Sequence, residues 1–479
     1  MNRGSGENRD SSDRDPETVR DRERFDATPG AALAIDCLLA GIDAARPEAV
    51  VERTISVADA TLSVGEASYD LDTFERVLVI GGGNAAARLA AALEARLGDR
   101  IDGGIVVTDD PDDSVALERI DVVEGSHPYP DRAALEGTER LLELAADAGP
   151  DDLVLGAITG GGSALLPAPA GEITLEGLRE LTEALVRSGA TIDEINAVRK
   201  HVSALKGGQF ARTAAPASVA ALVISDVVGD DPATIASGPF SPDPTTFADA
   251  RAVLERYDLV VPESVRRRLE VGAAGDVPET PGADDPAFDS VDVHVLASNA
   301  TAIEAASEIA AAAGFEPLVL STRIRGEASE VGPIHAGIAE EVAASGRPVE
   351  PPAVLLSGGE TTVTVGDAAG RGGPNQEFAL SAALACSAPE AVVASVDTDG
   401  IDGATDAAGA LVASDAVGNA DSVGEAENGD GVIDAADARQ ALDDHDVYPL
   451  LADADALLHT GATGTNVNDL RVIVVQEGG

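Results

Sequence analysis

Lysine is almost missing from this chain. Among 479 residues, 32 are basic, and only Lys200 and Lys206 are lysine. Tryptophan is absent, methionine occurs once and aromatic residues make up 3%. The core must therefore be built from Ala, Val, Leu and Ile, and an apolar content of 44% is enough to supply it. The two cysteines, Cys37 and Cys386, lie far apart and outside any CxxC or Cys/His cluster. That spacing gives no disulfide framework and no zinc site, so both read as small buried apolar residues. Residues 1–26 are rich in Arg, Asp, Glu and Ser and hold no apolar run. They read as a disordered acidic tail, neither signal peptide nor membrane span.

What the chain has in excess is acid. Its 85 acidic residues against 32 basic ones give a formal charge of −53. Such a surface repels nucleic acid and anionic membranes. An acidic disordered protein is excluded by the apolar content and by regular strand–helix punctuation. The charge fits a surface built for high salt, where self-repulsion is screened, and a halophile's cytoplasmic protein is expected. It says nothing about the reaction.

Short apolar runs alternate with helical patterns along the chain. ERVLVI (75–80), GGIVVT (103–108), DDLVLGAIT (151–159) and SVAALVIS (218–225) read as strands, each followed by a turn or loop and then a helix. This alternation predicts an α/β fold with two α/β domains, mainly parallel sheets and a cleft between the domains. The Pro-, Gly- and Asp-rich stretch 272–289 is the expected linker between units 27–271 and 290–479. Ligands of such sheets bind off the C-terminal ends of the strands, and most of the unusual loops fall there.

Two glycine loops come first. GGGNAA (81–86) fits G-x-G-x-x-A between a strand and a helix, with Asp109 ending the next strand. This is the dinucleotide pattern, and Gly81, Gly82 and Gly83 could face an anion or serve only as a packing turn. TGGGSALL (159–166) offers a second cradle at Gly160, Gly161, Gly162 and Ser163. Two such loops suit a nucleoside triphosphate as well as NAD. The lysines follow, in SGATIDEINAVRKHVSALKGG (188–208). An ammonium is a point charge suited to a transferring phosphoryl group, although an exposed lysine is ordinarily just solvated surface. SDVVGDD (225–231) presents Asp226 and Asp230 at a strand end, which suits Mg²⁺, and DTDGIDG (397–403) is a parallel case. Against 85 acids, solvated surface is the competing reading for each. GRGGPNQE (370–377) sets Arg371 in a glycine-lined loop suited to a carboxylate or phosphate. TGATGTNVND (460–469) suits oxyanions, or is a turn. ENGDGVIDAADA (427–438) imitates a calcium loop, but its first ligand position is Ala426 and its last Asp437, so it reads as an acidic insertion. His201 is the one acid/base candidate among the histidines; His127 reads as structural.

Together, GSHPYPD, TGGGSALL, RSGATIDEINAVRKHVSALKGG, SDVVGDDPATIASGP and DPTTFADA resemble the N-terminal domain of the glycerate 2-kinase family. SGGETTVTV, GRGGPNQE, DTDGIDGATDAAGA and TGATGTNVNDL resemble its second, MOFRL-type domain, and the likeness runs from about residue 30 to 475 in the family's order. It implies transfer of the ATP γ-phosphoryl to the 2-hydroxyl of D-glycerate, with Mg²⁺. It also implies roles. Gly160–Ser163, and Gly81–Gly83 with them, cradle phosphates; Lys200 and Lys206, supported by Arg199, neutralise charge; Asp226 or Asp230 holds Mg²⁺. Arg371 grips the glycerate carboxylate or the moving phosphoryl, and Asp397 or Asp399 orients the hydroxyl. A homodimer is left open. Two departures stand out. Where many members carry a lysine regarded as catalytic, this chain has Asn84, and Pro374 replaces a second arginine of the glycine-rich loop. Two rivals stay in view: an NAD-dependent hydroxypyruvate reductase, resting on GGGNAA and Asp109, and a non-catalytic nucleotide- or metabolite-binding protein, motivated by Asn84.

Overall fold

A computed structural model describes residues 19–25, 27–110, 117–365, 370–418 and 433–477. The tail up to residue 18 and the calcium-like loop at 427–432 lie outside the described residues. Asp434, at the end of that loop, accepts from the amide of Ala436 at 2.7 Å and caps the helix Ala435–Asp443.

The fold is α/β. The first sheet has six strands, in the order Ile120–Glu124, Gly103–Thr108, Arg76–Gly82, Asp152–Ile158, Ser218–Ile224, Val291–Ala297. Every pairing in it is parallel, as the alternation predicts. The second sheet runs Glu316–Glu327, Ala353–Thr362, Asp469–Val475, Val392–Asp397, Gly409–Ala413, Leu457–Leu458. Only its first pair is parallel; the other four are antiparallel. The chain's last strand enters the middle of this sheet and reverses the direction on both sides of itself. Central strands such as Asp152–Ile158 and Asp469–Val475 are buried along their whole length, so they read as apolar runs without alternation.

The division of the chain differs from the expected 272–289 linker. The strand after that stretch, Val291–Ala297, pairs with Ser218–Ile224 and closes the edge of the first sheet. Conversely, the helix Ala31–Ala45 packs on Asn299–Ala312 and the strand Asp469–Val475, so it belongs with the second sheet. Gly41 allows that approach: a Cβ there would lie 2.9 Å from the carbonyl oxygen of Ala302. Composition marked 272–289 as a linker because a long surface loop and an interdomain link share the same residues. The chain changes units after Ala297, where Asn299 Nδ2 donates to the carbonyls of Val467 and Asp469 at 2.9 and 2.8 Å. Residues 19–25 are not a solvated tail. Val19 and Phe25 are buried, and the amide of Arg20 donates to the His459 carbonyl at 2.9 Å. Cys37 and Cys386 are buried and unpaired. No helix of the described residues is long and apolar enough to cross a membrane.

Candidate active site

The lysine-bearing stretch builds one wall of a cleft. Thr191 caps the helix Ile192–His201, its hydroxyl accepting from the Glu194 amide while Glu194 accepts from the Thr191 amide at 3.0 Å. This reciprocal cap fixes the helix start. Ile192, Asn196 and Arg199 then fall on one face at helical spacing, and all three line a cavity of about 730 Å³, followed by Ser203 and Lys206. The cavity lies between the two sheets. The first unit contributes Gly161, Ser163, Lys206 and Asp226; the second contributes Arg325, Glu360, Asp397 and Asp469.

The two lysines do different work. Lys206 is buried at the cavity wall, and its Nζ donates to the Leu166 carbonyl at 3.0 Å. Burial, then the nearby Arg199 guanidinium, push it down to about 7. Arg199 is itself held below its usual range by desolvation. Lys200 turns away from the cavity. Its Nζ sits 3.4 Å from Asp243, whose other oxygen accepts from Thr280 at 2.9 Å. It is a buried structural ion pair, which corrects the expectation that it neutralises phosphate. His201 also faces inward, its Nδ1 2.7 Å from the Ala197 carbonyl and its Nε2 3.2 Å from Glu279. His127, expected as structural, lines the cavity instead.

The first glycine loop does not face the cavity. A Cβ at Gly81 would lie 1.8 Å from the Ala157 carbonyl oxygen, and one at Gly83 2.2 Å from Thr159 Oγ1. The amides of Gly83, Asn84 and Ala85 donate to Val107 O, Gly160 O and Thr159 Oγ1 at 2.8–3.1 Å. Gly81, Gly82 and Gly83 are packing glycines beneath the second loop, with these amides already spent inside the protein. Asn84 lies behind that loop: a Cβ at Gly161 would be 1.8 Å from its Oδ1, which has no hydrogen-bond partner among the described residues. Asn84 is thus one layer removed from the cavity, as is Gly160, where a Cβ would meet Asp226 Oδ2 at 2.4 Å.

The second loop does reach the cavity, through Gly161, Gly162 and Ser163. Burial raises Asp226, which lies against this loop, with the Gly161 amide among the lesser opposing influences. Ser163 Oγ lies 2.7 Å from Ser237 Oγ, which donates to Asn196 Oδ1 at 2.9 Å. Ala236 and Ser237 sit in the left-handed region at φ 50 and 62, and Asn468 at φ 67. Ala236 and Asn468 line the cavity. Non-glycine residues held there store strain, and such strain collects at functional sites.

The opposite wall is acidic. Burial, with Asp399 and Asp469 alongside, holds Asp397 well above the usual carboxylate range. Asp399, one step behind Asn466, is pushed up to about 6 by burial. Asp402 is pushed up to about 7 and anchors the GRGGPNQE loop by accepting from the amides of Asn375 and Gln376. Desolvation, then Asp469 and Asp226, raise Glu360. Beneath them Arg471, fully buried, pairs with Asp469. Arg371 is outside this group. It pairs with Asp406 at 2.9 Å and stacks 3.6 Å from the Tyr448 ring, half exposed. Asp230, in the left-handed region at φ 58, also does not line the cavity. Sequence reasoning leaves Arg325, Glu360, Asn196 and Asp469 unassigned. Only Asn196 had a readable signal, its helical spacing to Arg199.

Two family descriptions match the chain: "Domain of unknown function (DUF4147)" over residues 33–270 and "MOFRL family" over residues 353–469. A glycerate 2-kinase of Pyrococcus horikoshii is 41% identical over 91% of this chain and 94% of its own length. The chain belongs to the glycerate 2-kinase family. Its fold agrees: the crystal structure of the Thermotoga maritima glycerate kinase superposes with a TM-score of 0.79 at 38% identity, covering 93% of this chain and 99% of that one. A protein of Agrobacterium vitis named "Putative hydroxypyruvate reductase" is 45% identical over 84% of this chain and 87% of its own. Asn84 lies behind the second glycine loop, and cations reach the cavity from other positions.

Proposed function

We propose that this protein transfers the γ-phosphoryl of ATP to the 2-hydroxyl of D-glycerate, giving 2-phosphoglycerate and ADP. The observation that carries the reading is a cleft with Arg199 and Lys206 on one wall and carboxylates on the other, in a chain 41% identical to a glycerate 2-kinase. In the reaction the glycerate oxygen bonds to the γ-phosphorus as the bond from phosphorus to the bridging oxygen of ADP breaks. Arg199 and Lys206 stabilise the charge shared over the phosphoryl oxygens. An incoming phosphate offsets the desolvation that depresses Lys206 and restores its proton. Asp397, held well above the usual carboxylate range by burial, is the group we assign to take the hydroxyl proton. Its roles, and those of the other residues, are our assignment.

Mg²⁺ takes one or two protein carboxylates and phosphate oxygens. Asp226 and Glu360 both line the cleft, from opposite units, with hard oxygen donors and Glu360 raised partly by Asp226. Those donors fit, and Asp226 is the residue we assign to hold the ion. Bound Mg²⁺ would neutralise the β- and γ-phosphates. A cytoplasmic location is proposed on the two unpaired, buried cysteines.

The reductase reading is favoured by the Agrobacterium relatives' names. It needs the first glycine loop to meet a pyrophosphate, and the amides of Gly83, Asn84 and Ala85 are bonded within the protein. One assay separates the readings. ATP and D-glycerate at high KCl, coupled through enolase alone, should give product. Signal appearing only when phosphoglycerate mutase is added would mean 3-phosphoglycerate and overturn the 2-hydroxyl assignment. NADH oxidation by hydroxypyruvate without ATP would establish the reductase.

A further inference from the structure

Few large apolar side chains are exposed on this acidic surface, yet three of them line the cleft. Tyr129, Val186 and Ile192 are 48%, 60% and 54% exposed, and all line the cavity. Val186 belongs to the helix Leu175–Arg187, whose residues Leu178 and Thr182 line the same wall at helical spacing. Ile192 opens the next helix, which carries Asn196 and then Arg199 on the same face. Seven residues of helix span about 10 Å. Along that distance the wall changes from apolar, to an amide, to a cation, and Lys206 continues the cationic end. A three-carbon acid has no apolar surface to match this wall, and about 730 Å³ is room for a far larger ligand.

We propose that this wall is the nucleobase subsite: the purine of ATP packs on Tyr129, Val186 and Ile192, and its triphosphate runs along the helix to Arg199 and Lys206. The inference rests on the kinase reading above and adds an orientation to it. A flat, weakly polar base matches the exposed apolar faces. The gradient on the helix face matches a molecule with a base at one end and phosphates at the other. The continuity of wall and cations in one cavity favours a single ligand over a second protein chain as the occupant.

The test uses the full chain with Val186→Asp and Ile192→Asp, both at exposed positions, and Val260→Asp, 88% exposed and outside the cavity, as the control. ATP affinity is measured by calorimetry and as KM. Inorganic tripolyphosphate, which has no base, is measured as a competitor of ATP. At least tenfold weaker ATP binding is expected in the two cleft variants, with tripolyphosphate inhibition and the glycerate KM within twofold of wild type. Unchanged ATP affinity overturns the proposal, even if a variant dissociates a dimer; so does equal weakening of ATP and tripolyphosphate. The two readings fail separately. A wild-type protein that binds ATP but makes no 2-phosphoglycerate refutes the kinase reading, while calorimetry on the variants still decides the base subsite. A wild-type protein that binds no ATP refutes both.

Discussion

Lys200 and Lys206 sit six residues apart and are both buried, yet their removal should produce opposite results. Lys200→Met leaves Asp243 charged and without its partner, and breaking a buried pair costs about 3–5 kcal/mol. Among the described residues, Lys206 has no carboxylate partner at its Nζ, which donates to the Leu166 carbonyl. Its pKa is pushed down to about 7 in the folded protein, while the unfolded chain keeps the ordinary lysine value of about 10.4. Between those values the unfolded state binds more protons, so this group makes stability rise with pH across that window. Below about pH 7 its buried charge is a full penalty. Lys206→Met is therefore expected to unfold at a higher temperature than wild type below pH 7 and to lose most kcat, whereas Lys200→Met unfolds earlier than wild type at neutral pH. For the wild type, kcat/KM for ATP should fall as pH rises above about 7 and free Lys206 loses its proton. Thermal melts and pH–rate profiles of both variants check this. A Lys206→Met enzyme with wild-type turnover removes that lysine from the mechanism.

At the scale of elements, the cleft joins the helices Leu175–Arg187 and Ile192–His201, one glycine loop and the ends of strands from both sheets. The strand Glu316–Glu327 brings Arg325 to the cavity, where its Nη2 donates to the Val228 carbonyl at 2.9 Å. It is the cation the second unit brings to a wall that also carries Glu360, Asp397 and Asp469. Arg323 reaches the same loop, its Nη1 2.7 Å from where a Gly229 Cβ would be, but does not line the cavity. Arg325→Ala is expected to lower kcat by at least about 1000-fold, the lower end of the range known for arginines that stabilise phosphoryl transfer. Arg323→Ala, which loosens the same inter-unit contact, should stay within about threefold of wild type. Similar losses in both would make Arg325 a strut between the units. The sequence made some of this legible. GGIVVT occupies the strand Gly103–Thr108, and the short turn of TGGGSALL forms the cavity edge. A helical wheel does not separate Lys200, one turn after Asn196, from the face of Ile192, Asn196 and Arg199; its pairing with Asp243 is legible only in the fold. Arg325 and Glu360 gave no local signal, because their role comes from sheets that meet only in three dimensions. Gly81–Gly83 misled for a related reason: a tight turn under another loop needs glycine as much as a phosphate does.

For the molecule as a whole, the formal charge of −53 is the largest electrostatic fact. We infer that it demands salt. Raising KCl from about 0.1 M to about 1 M shortens the screening length from about 10 Å to about 3 Å, which weakens repulsion between carboxylates across the surface. Melting temperature and turnover should both climb over that range; a flat response would separate the acidity from any salt requirement. The path of the chain has its own consequence. It begins in the second unit with Ala31–Ala45, builds the first unit, and returns after Ala297. Where it leaves and where it returns are neighbours, since the helix Pro47–Thr54 touches the strand Val291–Ala297. The first unit is thus an insertion held by two adjacent covalent crossings. A body tethered once can wander and twist; two neighbouring crossings restrict that freedom, which keeps Arg199 and Lys206 in register with the acidic wall.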